Sequence, residues 1–176
     1  LEGLMPTAYT TMRTPFGPLT VVVTDTGAVR AAAFTDDVRA LLPAGASAVA
    51  RDRLGPVSAA VEAYLAGDLT ALDQVPVDQP SAGDFLDQVR ATLRHVKPGF
   101  PVTYRQLAAL AGRPAAVRAA AAACARNQVA LFVPCHRVVR SDGGLGGYRW
   151  GVDVKRWLLR HEEHHARPRP GDDETA

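Results

Sequence analysis

Cys135, His136 and Arg137 follow one another inside the stretch ALFVPCHRVV, residues 130–139. A thiol attacks as its thiolate, and a free cysteine with a pKa near about 8.5 is mostly protonated at neutral pH. A histidine that takes the proton, directly or through a water, turns such a cysteine into a nucleophile. His136 is the neighbour in the chain, but adjacency does not place its ring. A carboxylate orients the imidazole in sites of this kind, and Glu162 on the last helix is the expected source. The competing reading of Cys135 is a small buried apolar residue, the common fate of a cytosolic cysteine. Cys124, set in a run of alanines, has no such company and reads as core. A second arrangement, HEEHH at residues 161–165, satisfies the H-E-x-x-H spacing that puts two histidines on one helix face around zinc. A catalytic zinc needs a third protein ligand, and no His or Cys follows His165.

The elements that must position these groups can be read from periodicity and turn residues. Residues 15–34 read as β structure, with LTVVV as one strand, DTG as a turn and AVRAAAF returning. Residues 56–68 carry Val57, Val61, Tyr64 and Leu65 at helical spacing, with Gly67 as a stop. Residues 74–84, rich in Pro, Gly, Ser and Asp, read as a linker. A helix follows through Phe85, Val89, Leu93 and Val96. Thr103 and Gln106 have capping-box spacing and start a short helix at Tyr104. Gly112 ends it, and Pro114 suits the first turn of the next. Two helices around a tight glycine turn describe a helix-turn-helix, an ordinary helical hairpin being the alternative. Its second helix is unusual: residues 115–125 hold nine alanines or valines, one cysteine and one arginine, with no large side chains for a core face. ALFVP then reads as a buried strand, residues 140–151 as a glycine-rich loop, and DVKRWLLRHEEHH as a closing helix with Asp153 as N-cap.

The 176 residues suffice for one or two small domains. No run approaches the roughly 18 apolar residues of a membrane span, and the start lacks a signal-peptide pattern; Met5 reads as the natural start, after Leu1–Leu4. Two cysteines are too few for a disulfide scaffold, so a cytoplasmic setting is expected. Residues 1–84 hold five Lys and Arg against ten Asp and Glu, and residues 85–176 hold fifteen against eight. Charge blocks of opposite sign suggest two units, the basic one suited to a polyanion.

PCHRVV, preceded by RAAAAACARN and followed by GGLGGYRWGVDVKRWLLRHE, resembles the active-site segment of the O6-alkylguanine-DNA alkyltransferases, the methylated-DNA–protein-cysteine methyltransferases. The likeness is close from Phe85 to Glu163 and weaker through TPFGPLTVVVTDTGAV. The resemblance implies an α/β chain: a small ribonuclease-H-like α+β domain over residues 5–73, a linker over 74–84, a mostly helical DNA-binding and transfer domain over 85–165 and a disordered tail over 166–176. It implies irreversible, single-turnover transfer of an alkyl group from O6 of guanine in double-stranded DNA, and of O4-alkylthymine, to Cys135. His136 would activate the thiol, Glu162 orient His136, and Asn127 tie the recognition helix to the active-site loop. Arg118 would enter the base stack from the minor groove while the lesion is flipped out. The small Val117, Ala119 and Ala121 would let the helix approach, and Tyr104 would crowd the 3′ phosphate. Backbone groups of Cys135, Val138 and Arg149 would read the guanine edge, with Tyr148 as a pocket wall and Lys155 in support. No cofactor and no metal are implied, since the zinc ligands of some members are missing from the first 84 positions. A monomer is expected, with cooperative binding along DNA left open.

There are four departures from the family pattern. Trp150 stands for a glycine at the pocket lip and is expected to narrow the entrance or form a new wall. Gln128 stands for the proline after the asparagine, which loosens the loop. Arg90 stands for a packing tryptophan, and Ala119–Ala121 for Ala-Val-Gly. Two other readings remain: a lesion-binding protein of the alkyltransferase-like type, which lacks the cysteine, and a cysteine hydrolase, for which no oxyanion hole is recognisable.

Overall fold

The computed structural model describes residues 6–166; the proposed start at Met5, with Leu1–Leu4, and the tail from residue 167 lie outside them. The first unit is built on β1 (Pro6–Thr14), β2 (Gly17–Thr24), β3 (Val29–Ala33) and β4 (Val49–Ala50), in the order β3-β2-β1-β4. β1, β2 and β3 form antiparallel hairpins, with Tyr9 opposite Val22 and Val21 opposite Ala32, while β4 runs parallel to β1. β2 is buried at every position from Leu19 to Thr24, as its β-branched run predicts for a strand covered on both faces. β1 was not legible in the sequence, because threonines occupy much of PTAYTTMRT. Those hydroxyls are accommodated in place: Thr10 is buried, and Thr11 and Thr20 share a 2.8 Å hydrogen bond across the hairpin.

α1 (Pro56–Leu65) starts with proline in its first turn and buries Val57, Val61 and Tyr64 in the same core as β2. Past its end, Gly67 adopts φ +113°, and a side-chain carbon there would collide with the His165 ring at 2.6 Å. Only glycine therefore lets the start of this turn lie against the C-terminal helix.

Within residues 74–84, the backbone of 76–78 pairs with the outer edge of β3. Val29 N donates to Pro76 O at 2.8 Å and Asp78 N donates to Val29 O at 2.9 Å. Further along the same edge, Ala32 N donates to Gln128 O at 3.0 Å and Ala130 N to Ala32 O at 2.9 Å. Backbone from the second half of the chain thus covers an edge that would otherwise present unpaired groups.

The second half contains α2 (Asp84–Leu93), β5 (Val102–Thr103), α3 (Tyr104–Leu110), α4 (Val117–Ala125), β6 (Val138–Val139) and α5 (Val152–His165). The mixed α/β class, with a sheet unit before a helical one, is borne out. The Thr103–Gln106 capping box is formed in both directions. Gly112 takes φ +95° after α3, and Arg113 N donates to Ala108 O at 3.0 Å, the backbone closure of a glycine-stopped helix.

Three local expectations are corrected. α4 begins at Val117, so Pro114 lies in the preceding turn rather than in the helix. Asp153 is the second residue of α5, the cap is Gly151, and the Asp153 carboxylate pairs with Arg156 at 2.8 Å. ALFVP is buried but is not a strand: Val129 bridges Ala32, then Phe132 N turns back to Ala130 O and Val133 N to Val129 O. Leu131 takes φ +70° in this turn. The apolar run reads as a strand because burial alone leaves no period to distinguish strand from compact turn.

Candidate active site

Cys135, His136 and Arg137 form a single 3-10 turn, all three buried. This tight turn sends successive side chains in different directions, which resolves how adjacent residues serve different partners. His136 Nε2 lies 2.8 Å from Glu162 Oε2, both groups fully buried. Glu162 also receives Arg137 through Nε at 2.8 Å and Nη2 at 3.0 Å, and Tyr64 Oη donates to it at 2.8 Å. Arg137 completes its set with Nη1 on Val96 O at 2.8 Å.

α5 supplies Glu162 from a face that also buries Lys155, Leu158 and His161. Charged groups on the inner face of a helix are tolerated when each is paired and hydrogen-bonded. Burial favours the neutral Glu162, but His136 and the Arg137 guanidinium outweigh it and hold the carboxyl well below the usual range. His136 moves the other way: burial pushes its pKa down, and the Glu162 carboxylate only partly restores it. A carboxylate accepts at Nε2, so the ring carries its proton there and leaves Nδ1 as the basic nitrogen. Nδ1 is buried without a hydrogen-bond partner among the described residues.

Burial also pushes the Cys135 thiol up, against the lowering effects of the Asn127 hydrogen bond, Lys155 and Arg149. Asn127, wholly buried just after α4, donates through Nδ2 to Val133 O at 2.9 Å, Val129 O at 3.3 Å and Cys135 Sγ at 3.3 Å. Its Oδ1 accepts from Val129 N at 3.1 Å and from Gln79 Nε2 at 3.2 Å. Lys155 Nζ donates to Val138 O at 2.7 Å and to Gly147 O at 3.1 Å, holding β6 against the glycine-rich loop. The arrangement sets a buried thiol, with one amide donor on its sulfur, next in the chain to a histidine oriented by a carboxylate.

Comparison with known proteins places this geometry. The sequence profile "6-O-methylguanine DNA methyltransferase, ribonuclease-like domain" matches residues 7–79, and the "DNA binding domain" profile of the same name matches residues 84–164. A Salmonella typhimurium "Methylated-DNA--protein-cysteine methyltransferase" is 38% identical over 157 residues, 85% of this chain and 91% of that protein. The chain belongs to the methylated-DNA–protein-cysteine methyltransferase family. The Escherichia coli "Bifunctional transcriptional activator/DNA repair enzyme Ada" is 56% identical over 78 residues, 44% of this chain but only 22% of that protein. A Kluyveromyces lactis methyltransferase matches over 52% of its length, so the chain spans between about a fifth and a half of these two relatives. Among solved structures, Mycobacterium tuberculosis OGT in complex with DNA superposes with a TM-score of 0.78 at 29% identity, covering 90% of this chain and 94% of that one.

In the family's frame, the helix-turn-helix is α3 and α4. Arg118 is exposed near the start of α4, with no described partner. Val117, Ala119 and Ala121 are partly exposed beside it, while Ala120, Ala123 and Cys124 face the core. The core side of α4 is therefore built from small residues, and α2 lies close enough to pack against it. Tyr104 opens α3, half-buried, its hydroxyl close to Gly146 of the glycine-rich loop. A cleft of ≈ 550 Å³ runs between them, lined also by Arg140, Gly147 and Arg156. Tyr148 stands edge-on to His136, ring centroids 6.5 Å apart, with its hydroxyl buried and unpartnered among the described residues. Trp150 packs edge-on against Tyr148 at 5.1 Å and stands 6.4 Å from Phe34. With Arg149 and Gln128 it lines a second cleft, ≈ 540 Å³, against β3. Val138 is fully buried, and Arg149 is exposed, its Nη1 donating to Asn127 O at 3.3 Å.

The departures from the family pattern have local explanations. Arg90 is buried in place of an aromatic and donates to Pro80 O at 3.2 Å and to Arg126 O, at the end of α4, at 3.0 Å. A cation at a helix C-terminus also complements the helix dipole. Gln128 is held rather than loose: its N–H, which a proline would lack, donates to Gln79 Oε1 at 2.7 Å. Sequence reasoning missed Tyr64 and Gln79. Tyr64 sat among the apolar positions of α1, and the available signal was that a buried tyrosine hydroxyl needs a partner. The HEEHH histidines are engaged elsewhere: His161 Nε2 is 2.8 Å from Tyr64 O, and His165 Nδ1 is 2.9 Å from His161 O. No group of three or more His, Cys, Asp or Glu among the described residues is placed to hold a metal ion.

Proposed function

We propose that the protein repairs double-stranded DNA by moving the alkyl group of O6-alkylguanine, and of O4-alkylthymine, onto Cys135 in a single irreversible turnover. The observation that carries the reading is the buried chain from Tyr64 and Arg137 through Glu162 to His136, beside a thiol that accepts from Asn127. The Cys135 proton passes to His136 Nδ1, directly or through one water. Sγ then attacks the alkyl carbon, the carbon–O6 bond breaks, and the proton ends on the restored guanine, which stays in its DNA strand. The ion pair formed in the site is stabilised by Glu162 for the imidazolium and, for the thiolate, by the Asn127 hydrogen bond and the nearby Lys155 charge. Because a thioether is a poor leaving group, the product is a spent protein, and no cofactor is required.

Access needs the base outside the stack, since O6 is shielded in a duplex. The exposed Arg118 on a helix of small residues suits insertion from the minor groove, with Val117, Ala119 and Ala121 against the backbone and Tyr104 against the 3′ phosphate. Cys135, Val138 and Arg149 offer backbone groups to the guanine edge; a carbonyl has two lone pairs, so Lys155 does not exhaust that of Val138. Tyr148 forms a wall, and Trp150, packed on it, limits the size of the alkyl group. The DNA-binding and transfer unit is residues 85–165, and the described part of the first unit, residues 6–73, braces it through Tyr64. We place the activity in the cytoplasm or nucleoid of the cell, in a monomer; no helix of the described residues is long and apolar enough to cross a membrane.

The test is nucleoside composition of a duplex with one O6-methylguanine after incubation with protein. Guanine should be restored up to one equivalent per chain and not beyond. Multiple turnover contradicts the reading, and tight binding without restoration favours the lesion-binding alternative.

A further inference from the structure

The donor that Asn127 aims at Cys135 is itself held in orientation, and by a residue of the interdomain segment. Resting on the proposed transfer to Cys135, we infer that Gln79 is a positioning residue that sets which face of the Asn127 amide the thiolate meets.

A primary amide has two nearly identical orientations, one presenting NH2 and the other presenting oxygen. For a thiolate they differ in sign: the first stabilises the charge and the second repels it. Within the active-site loop, Asn127 Oδ1 accepts from Val129 N at 3.1 Å. Gln79 adds a second donor to the same oxygen, Nε2 at 3.2 Å. Gln79 is in turn kept from flipping because its Oε1 accepts the Gln128 N–H at 2.7 Å. Read in order, a backbone N–H fixes Gln79, Gln79 reinforces the orientation that Val129 N–H and the Val129 and Val133 carbonyls give Asn127, and Asn127 Nδ2 reaches Cys135 Sγ at 3.3 Å. The relay exists only because position 128 is not proline, which has no N–H to give.

The backbone around Gln79 is restrained on both sides. Arg30 Nη1 donates to Asp78 O at 3.1 Å, and the buried Arg90 donates to Pro80 O at 3.2 Å while its other nitrogen holds Arg126 O next to Asn127. Asp78 N is bonded to β3 as well. A segment whose composition reads as a loose linker is thus fixed where it delivers one side chain. This also gives Arg90, the charge that replaces an aromatic, a purpose in the site: it holds the two ends of the relay at a fixed separation.

The experiment is the pH profile of single-turnover transfer from a methylated duplex, for the wild type, Gln79→Leu, Gln128→Pro, Asn127→Ala and the Gln79→Leu/Asn127→Ala double variant, with duplex affinity measured alongside. Gln79→Leu should move the acid limb of the rate profile up by as much as about one pH unit, an up to ~10-fold rate loss at neutral pH, with affinity for DNA unchanged. Gln128→Pro frees Gln79 and should shift the profile partway in the same direction. In the Asn127→Ala background Gln79→Leu should have no further effect on the profile. A Gln79→Leu profile that superimposes on the wild type, or a shift that persists in full without Asn127, overturns the relay. If Gln79→Leu does not fold, the Gln128→Pro profile decides, an unshifted curve counting against the proposal. Failure of the wild type to transfer at all would instead overturn the reading of the site itself.

Discussion

Replacing Tyr64 by phenylalanine separates what holds the site together from what drives its chemistry. The ring stays in a fully buried position and the only group removed is the hydroxyl that donates to Glu162 Oε2 at 2.8 Å. A hydrogen bond to a charged partner contributes roughly 1.5–3 kcal/mol. Because both groups are fully buried, solvent does not replace the lost donor. For a chain of this size each kcal/mol moves Tm by roughly 2–4 °C, so a fall of roughly 3–12 °C is expected by differential scanning fluorimetry or calorimetry. Transfer should behave differently. Arg137 still pairs with Glu162 through two nitrogens, and Glu162 still receives His136 Nε2. The tautomer that leaves Nδ1 basic is therefore kept, and the single-turnover rate should stay within about threefold of the wild type. Glu162→Gln, which removes the charge, should instead cost on the order of 10²–10⁴ in rate, the range of general acid–base contributions. A Tyr64→Phe protein of unchanged Tm, or one as slow as Glu162→Gln, would refute this division of labour.

Further outcomes are expected on the same grounds. Arg118→Ala should slow repair of a paired lesion far more than reaction with the free base, read from the two second-order rates; equal losses would remove its role as a wedge. Duplex affinity should fall steeply with added salt as phosphate contacts release counterions, and a flat salt titration contradicts binding along the backbone. Trp150→Gly should raise reactivity toward benzylguanine relative to methylguanine, and an unchanged ratio would place the indole outside the path of the alkyl group. His136 and Glu162 both have folded-state pKa values below their ordinary ones, 6.5 and 4.5, so the unfolded chain binds the extra protons in acid. The stability they contribute is complete above pH 6.5 and is lost as pH falls, first through His136 and then through Glu162. Urea midpoints that stay level from neutral pH to below pH 4.5 would contradict this.

The site was legible where chemistry dictates residue type and hidden where packing does. Cys135, His136 and Glu162 could be paired because a thiol needs a base and a base needs an orienting acceptor. The capping box at Thr103 and the glycine stop at Gly112 are backbone signals carried by one or two residues, and the structure forms both. By contrast, Tyr64 and Gln79 act across 98 and 48 positions of chain, and helical spacing or loop composition says nothing about such distances. The VPCHR turn was read as the end of a strand, since a wholly buried segment carries no alternation to reveal that its backbone folds back at Val133. β1 went unseen for the opposite reason: its threonines find partners outside the strand, Thr11 on Thr20 of β2 and Thr10 on Asp52 O, where an apolar period would have been obvious. Arg137, next to the active-site pair in the chain, pairs with Glu162 and helps keep it ionised, the charge state on which the His136 tautomer depends.

The most direct measurement is the intact mass of the protein after incubation with a duplex containing one O6-methylguanine, followed by peptide mapping. The account predicts a single adduct of one CH2 on Cys135, complete at one equivalent of DNA, and no adduct on Cys135→Ser although that variant still binds the duplex. A methyl group on Cys124 or any other residue, or repair of the DNA with the protein mass unchanged, would contradict it.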